Sequence, residues 1–375
     1  MFALAMFALA FASVPPADAA GSRSSVPRVR ARAYLVMNAA TGDVLISKNA
    51  NARLPIASLT KLMTVDVALQ HLSVDRYVTV SARATDVGEE SAGLRAGERI
   101  EVGDLVRAAL IQSANDAADA LADAASDGNR ALFVGWMNKE AREIGLTHTH
   151  FVRPDGLDAR GHYSSARDIT RLARWAMGLS EVRQAVRLRT STISRGRRLT
   201  TWNDLLGSFP GVVGVKTGHT DDAGWCQVAL LDRGGLQIYA TILGSPSRSR
   251  RNHDLAELLH FALSRYRLVE VVSARDSLSE VATEYGGSAV PVAASSSLAL
   301  PVRVDRPLVE KLVLPRTLSL PVKRGQSVGE VRIFANGKLL GKRKLIAMRS
   351  VGKASLLDKA GWYGGQTVHN LWGWI

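Results

Sequence analysis

The chain has 375 residues, of which 48 are Lys or Arg and 34 are Asp or Glu, a formal charge of +14. That length predicts two or three domains with ample core, and 46% apolar against 22% charged residues excludes a disordered, collagen-like or polytopic membrane chain. A single cysteine, Cys226, excludes an internal disulfide framework and a cysteine-based structural zinc site, while the basic excess predicts attraction to something anionic.

The run from Met1 to Val14 is apolar and uncharged, and Ala17-Asp18-Ala19-Ala20 follows two prolines. An apolar stretch ending in a small-x-small site reads as a secretory signal over residues 1–20. The competing reading is an N-terminal membrane anchor, although the run is short for the roughly 20 apolar residues a span needs. Residues 21–30, rich in Gly, Ser, Arg and Pro, read as a flexible leader. Ala33–Met37 and Val44–Ser47, joined by a turn around Gly42, give a hairpin signal. Ser58–Leu69 has helical apolar spacing.

An alanine-rich helical stretch spans Val102–Ala125 and is interrupted at Gln112–Asp116. Helices are also predicted over Asn129–Ile144 and Ser165–Met177, with Ser165 as N-cap to Asp168. Strand-like Gln227–Leu231 and Leu236–Leu243 flank an Asp-Arg-Gly-Gly turn, and a helix is predicted over Leu255–Tyr266. Strands at both ends of this region with helices between them predict an α+β catalytic domain over residues 31–266, one antiparallel sheet carrying a helical insert. Residues 267–349 alternate short β-like runs with Pro, Gly and Ser turns and predict a small all-β domain. Residues 350–375 carry Trp362, Tyr363, Trp372 and Trp374. They read either as an amphipathic membrane-anchor tail, since Trp favours the membrane interface, or as a tail packed on the β domain.

Three short patterns carry chemistry. In Ser58-x-x-Lys61, helical spacing puts both side chains on one face, where a neutral lysine can activate a hydroxyl nucleophile. Ser113-Ala114-Asn115 offers a proton relay and an amide with both donor and acceptor. Lys216-Thr217-Gly218 follows a strand-like run expected at a sheet edge, where an extended peptide can pair with exposed backbone. The lysine and hydroxyl would face a carboxylate, and Gly218 leaves room for close approach. Each pattern alone also fits an ordinary helix, loop or strand end. Their order, with gaps of 55 and 103 residues, is the three-motif signature of penicillin-binding proteins and serine β-lactamases.

The chain resembles the low-molecular-mass penicillin-binding proteins that act as D-alanyl-D-alanine carboxypeptidases, from about Ala33 to the C-terminus. The resemblance is carried by Pro55–Thr64, Ile111–Ala118, Gly161–Ala166, Gly211–Gly224 and Leu320–Gly329. It implies a β-lactamase/transpeptidase-like catalytic domain, a peptidoglycan stem peptide as substrate, and β-lactams as covalent inhibitors. It further implies Ser58 as nucleophile, Lys61 as base, Ser113 as proton relay, and Asn115, Lys216, Thr217, Gly218 and His219 as substrate-binding residues. The backbone N–H groups of Ser58 and His219 would form the oxyanion hole, and Arg251, which matches a family arginine by its spacing to Leu258-Leu259, would be a second carboxylate contact. Arg153 departs from the family, which usually carries Asn there, and puts the local loop geometry in question.

No cofactor and no metal are expected, since the eight histidines show no ligand spacing. Nucleic acid is not expected either: the clusters Arg195–Arg198 and Arg248–Arg251 lack interleaved aromatics. An exported protein acting in the periplasm or at the outer face of the cytoplasmic membrane is the matching location. Three rivals stay open: a β-lactamase, disfavoured because no Glu-x-x-Leu-Asn lies between Asn115 and Lys216; a D,D-endopeptidase of cross-links; and a non-catalytic wall-binding scaffold.

Overall fold

A computed structural model describes residues 26–356, 359, 360 and 362. The proposed signal at 1–20 and most of the tail, including Tyr363, Trp372 and Trp374, lie outside them. The chain divides into two compact units, with the division after Ser264.

In the first unit, β1 (Ala33–Asn38) and β2 (Val44–Lys48) form the expected hairpin, with Tyr34 opposite Lys48. The sheet is completed from the far end of the unit by β3 (Val212–Thr220), β4 (Gly224–Arg233) and β5 (Leu236–Ser245). The spatial order is β2-β1-β5-β4-β3, antiparallel throughout, with Val36 opposite Ala240 and Lys216 opposite Val228. The Lys-Thr-Gly strand β3 therefore sits at the sheet edge. Its neighbour β4 is buried from Cys226 to Leu231 and apolar there except for Gln227, whose amide donates to Asn203 Oδ1 at 2.8 Å, as suits a strand covered on both faces.

Between the two halves of the sheet lie α1 (Lys61–His71), α2 (Val102–Arg107), α3 (Asn115–Ala125), α4 (Arg130–Glu143), α5 (Ala166–Ala176) and α6 (Ser180–Val186). Leu35, Leu62, Leu105, Leu121, Phe133, Leu172 and Val228 belong to one buried cluster that joins helices to sheet. Ser165 caps α5 as expected, its Oγ accepting the Asp168 N–H at 3.1 Å.

Several local expectations are corrected. The turn carrying Ser58 is a 3₁₀ segment, Ala57–Thr60, and the α-helix proper starts at Lys61. The stretch from Val102 contains a π-helical turn at Ala108–Gln112 before α3. The helix expected over Leu255–Tyr266 is α7, Arg248–Ser264; it starts about two turns earlier, and Tyr266 already belongs to a strand. Arg248 and Arg251 on this first turn pair with Asp204, and Arg250 pairs with Asp254. These partners neutralise the basic start of the helix. Residues 26–30, read as flexible leader, are tied to the same helix: Arg30 N–H donates to Asp254 Oδ2 at 2.9 Å and Arg250 Nη2 to the Arg28 carbonyl at 3.0 Å.

The second unit is all-β. Its strands are β6 (Tyr266–Val272), β7 (Ser277–Thr283), β8 (Val290–Ala294), β9 (Leu298–Arg303), β10 (Val309–Val313), β11 (Thr317–Leu318), β12 (Ser327–Ala335) and β13 (Lys338–Ala347). Six form one sheet in the order β10-β12-β13-β8-β7-β11, and β6 pairs with β9. Two small cores, around Val331 with Leu345 and around Val292 with Val322, serve this unit alone. Trp362 packs edge-on against Tyr285, and Lys359 Nζ lies over the same ring. Among the described residues no helix is long and apolar enough to cross a membrane.

Candidate active site

The 3₁₀ turn, the start of α3 and the edge strand β3 bring the three motifs together. Ala57, ahead of Ser58, has φ of +50°, a conformation uncommon for a residue with a side chain and typical of functional turns. The turn is braced by Thr60, whose Oγ1 donates to the Ala57 carbonyl at 2.8 Å and lies 2.8 Å from His162 Nε2. Gly156 (φ +86°) packs on the same turn, where any Cβ would overlap the Ala57 carbonyl oxygen.

Lys61 is 0% exposed. Its Nζ lies 2.7 Å from Ser58 Oγ, 2.6 Å from Asn115 Oδ1 and 2.6 Å from the Asp155 main-chain oxygen. Burial pulls its pKa down to about 8, and the nearby negative charges of Asp155, Asp119 and Glu89 keep it from falling further. The Asn115 amide is fixed on its other side by donating to the Gly88 carbonyl at 2.8 Å.

Ser113 takes a left-handed conformation (φ 71°, ψ 25°) as the π turn ends. Its Oγ accepts from Lys216 Nζ at 2.7 Å, and the same amine donates to the Thr217 carbonyl at 2.9 Å. Lys216 is only 2% exposed. Burial first, then the charge of Lys61, holds its proton affinity well below the ordinary lysine value. Gly218 lies beside the Ser58 turn, and the exposed His219 ring lies tilted against Trp225, with centroids 4.2 Å apart.

Direct contacts thus join Ser58 and Asn115 to Lys61, and Ser113 to Lys216, with Thr217 and Gly218 on the adjoining strand. Arg251 is placed differently from a free carboxylate ligand. It is buried, and its Nη2 donates to Asp204 Oδ2 at 3.1 Å and to Asn252 Oδ1 at 2.7 Å. Cys226 is buried, and burial pushes its thiol up to about 11, as befits a core residue. Among the described residues no group of three or more His, Cys, Asp or Glu side chains is arranged to hold a metal ion.

Sequence reasoning missed the contribution of Phe151–Leu157. The Asp155 carbonyl touches Lys61, and the Pro154 carbonyl accepts from Thr64 Oγ1 at 2.5 Å. Main-chain ligands leave no side-chain signature; the glycine at 156 is the only local trace.

Residues 20–247 match the family described as D-alanyl-D-alanine carboxypeptidase. The chain belongs to this family. Residues 266–353 match a second family, the C-terminal domain of penicillin-binding protein 5. The chain is 32% identical to the D-alanyl-D-alanine carboxypeptidase DacC of Escherichia coli (strain K12), over 95% of this chain and 92% of that protein. It is 29% identical to DacF of Bacillus subtilis (strain 168), over 93% of each. The crystal structure of penicillin-binding protein 5 from Haemophilus influenzae is similar with a TM-score of 0.63 and 27% identity, covering 88% of this chain and 99% of that one. The Streptomyces K15 DD-transpeptidase matches 64% of this chain with 99% of its own, at 32% identity and a TM-score of 0.60. A low-molecular-mass penicillin-binding protein with an α+β catalytic unit and a C-terminal all-β domain is thus the family and architecture of this chain.

Proposed function

We propose that the protein removes the terminal D-alanine from peptidoglycan stem pentapeptides through an acyl-enzyme on Ser58. The observation that carries this reading is the 2.7 Å contact between Ser58 Oγ and a fully buried Lys61 amine. A pKa of about 8 leaves roughly a tenth of these amines neutral at pH 7. That neutral fraction presents a lone pair to the Ser58 hydroxyl, which attacks the carbonyl between the last two D-alanines while Lys61 takes the proton. The tetrahedral oxyanion sits between the N–H groups of Ser58 and His219, where each preorganised donor contributes about 3–4 kcal/mol.

Ser113, backed by Lys216, delivers a proton to the departing amine, and Asn115 orients the peptide. Lys216 and Thr217 hold the terminal carboxylate. Burial lowers the proton affinity of Lys216, and an arriving carboxylate raises it again, favouring the charged amine that holds it. Water then hydrolyses the ester. β-Lactams present a strained ring amide in place of the D-alanyl-D-alanine bond and acylate Ser58.

The substrate places the enzyme outside the cytoplasm, and the apolar first twenty residues support export to the periplasm or the outer face of the cytoplasmic membrane. The tail from Ser350 is offered as a membrane-surface contact through its tryptophans.

Two measurements test the reading. Ser58→Ala should abolish covalent labelling by a fluorescent penicillin; labelling that persists rejects Ser58 as nucleophile. Mass spectrometry of products from a pentapeptide and from a cross-linked dimer should show free D-alanine from the former. Preferential cleavage of the dimer would make the protein an endopeptidase, and no reaction with either substrate or penicillin would leave a wall-binding scaffold.

A further inference from the structure

The loop that meets Lys61 carries a charge pair set apart from the three motifs. Arg153 Nε donates to Asp155 Oδ1 at 2.5 Å and its Nη2 to Oδ2 at 2.7 Å, a bidentate grip on a carboxylate that is 0% exposed. Asp155 Oδ1 also accepts the Leu157 N–H at 2.9 Å. The main-chain oxygen of the same Asp155 accepts from Lys61 Nζ. One residue therefore touches the amine through its backbone and is clamped by Arg153 through its side chain.

We propose that Arg153 is a positioning residue for Lys61: by gripping Asp155 it fixes the carbonyl that holds the amine, and it neutralises a buried negative charge beside that amine. The proposal rests on Lys61 acting as the base that activates Ser58.

The groups facing Lys61 come from every element packed on it. Ser58 lies on its own turn, Asn115 and Asp119 on α3, Glu89 on the segment before α2, Arg153 and Asp155 on the loop, and Lys216 on β3. Asp119 is buried and pushed up to about 7 by burial and by the neighbouring Asp155 charge, with Arg130 opposing. It carries a proton for part of the working range and is a weaker fixed charge than Asp155. Burial alone would raise the Asp155 carboxyl as well, but the Arg153 hydrogen bonds, the Leu157 N–H and the Lys61 charge outweigh it and keep the group ionised. Asp155 is thus a lasting anion next to the base, and Arg153 is the cation that offsets it. With the offset gone and Asp155 still ionised by the Leu157 N–H and the Lys61 charge, the protonated amine is favoured and less of the base is available at neutral pH.

The test is the pH profile of penicillin acylation of the full chain. Arg153→Asn should move the midpoint of the rate to higher pH, slowing acylation at pH 7 by about tenfold for each unit moved, with the alkaline plateau recovered. Asp155→Asn, which leaves Arg153 in place, should move the midpoint to lower pH, and the double variant should return it towards wild type. A role confined to holding the loop would lower the plateau and leave every midpoint where it was; that result overturns the proposal. If Arg153→Asn does not fold, the acid shift of Asp155→Asn decides, and its absence rejects the idea. Wild-type protein that is not acylated at all would instead refute the reading of Ser58 and Lys61.

Discussion

Gly218 on the edge strand lies against the backbone nitrogen of Ser58, so closely that a Cβ there would come within 2.9 Å of that nitrogen and 3.0 Å of the Ala57 Cβ. The N–H assigned to the oxyanion hole is therefore reachable only because residue 218 has no side chain. Gly218→Ala should slow acylation by roughly 10²–10³, the cost of disabling one such donor. Penicillin labelling rates beside thermal melts check this. Wild-type acylation in the variant would show that strand and turn do not meet this closely.

The base should announce itself in pH. Acylation of wild-type protein should rise as pH passes through about 8, the value to which burial lowers Lys61. Lys61→Ala should reduce the rate by about 10² or more and remove that limb. Stopped-flow acylation across pH 6–10 measures both; a flat profile in this range would assign proton removal to another group.

His162 predicts a stability change on the acid side. Burial, with its Nε2 facing Thr60 Oγ1 and its Nδ1 accepting the Val152 N–H, lowers its pKa to about 4. A histidine depressed in the folded state leaves the unfolded chain binding more protons between the two values. The fold therefore loses stability as pH falls from about 6.5 towards 4, by about 3 kcal/mol in all, and the titration of His162 adds no further pH dependence above that window. His162→Gln should be less stable than wild type at pH 7, and the difference should shrink at pH 4.5. Urea unfolding at the two values checks the sign.

The two units have separate cores. A chain ending after Ser264 should fold and keep a penicillin acylation rate within about twofold of the full chain, since independent sites add with small coupling. Circular dichroism and labelling test this; an unfolded or unreactive fragment would tie catalysis to the β domain.

The hairpin at Ala33–Lys48, the capped helix after Ser165 and the three motifs were legible because their signals are local: alternation, a hydroxyl before a helix, fixed short spacings. The first turn of α7 was not, since the arginines there become helical through Asp204, more than forty residues upstream. The division into catalytic and β parts was readable as a change of texture, whereas the last residues of the helix before it were not, because the apolar pattern runs on through Tyr266. Within the site, the side chains of Ser58, Lys61, Ser113, Asn115 and Lys216 were readable and the carbonyl of Asp155 was not. A peptide oxygen is common to every residue, so only its three-dimensional place gives it a role.

The turn at Ala108–Gln112 holds one more residue than an α-turn would. Deleting a residue there would make a smoother helix, but each residue turns the axis by about 100°, and Ser113 would swing away from Lys216. Insertions and deletions in this stretch should therefore be far more damaging than exchanges of its small apolar side chains: its count, rather than its chemistry, keeps the Ser113 hydroxyl in phase.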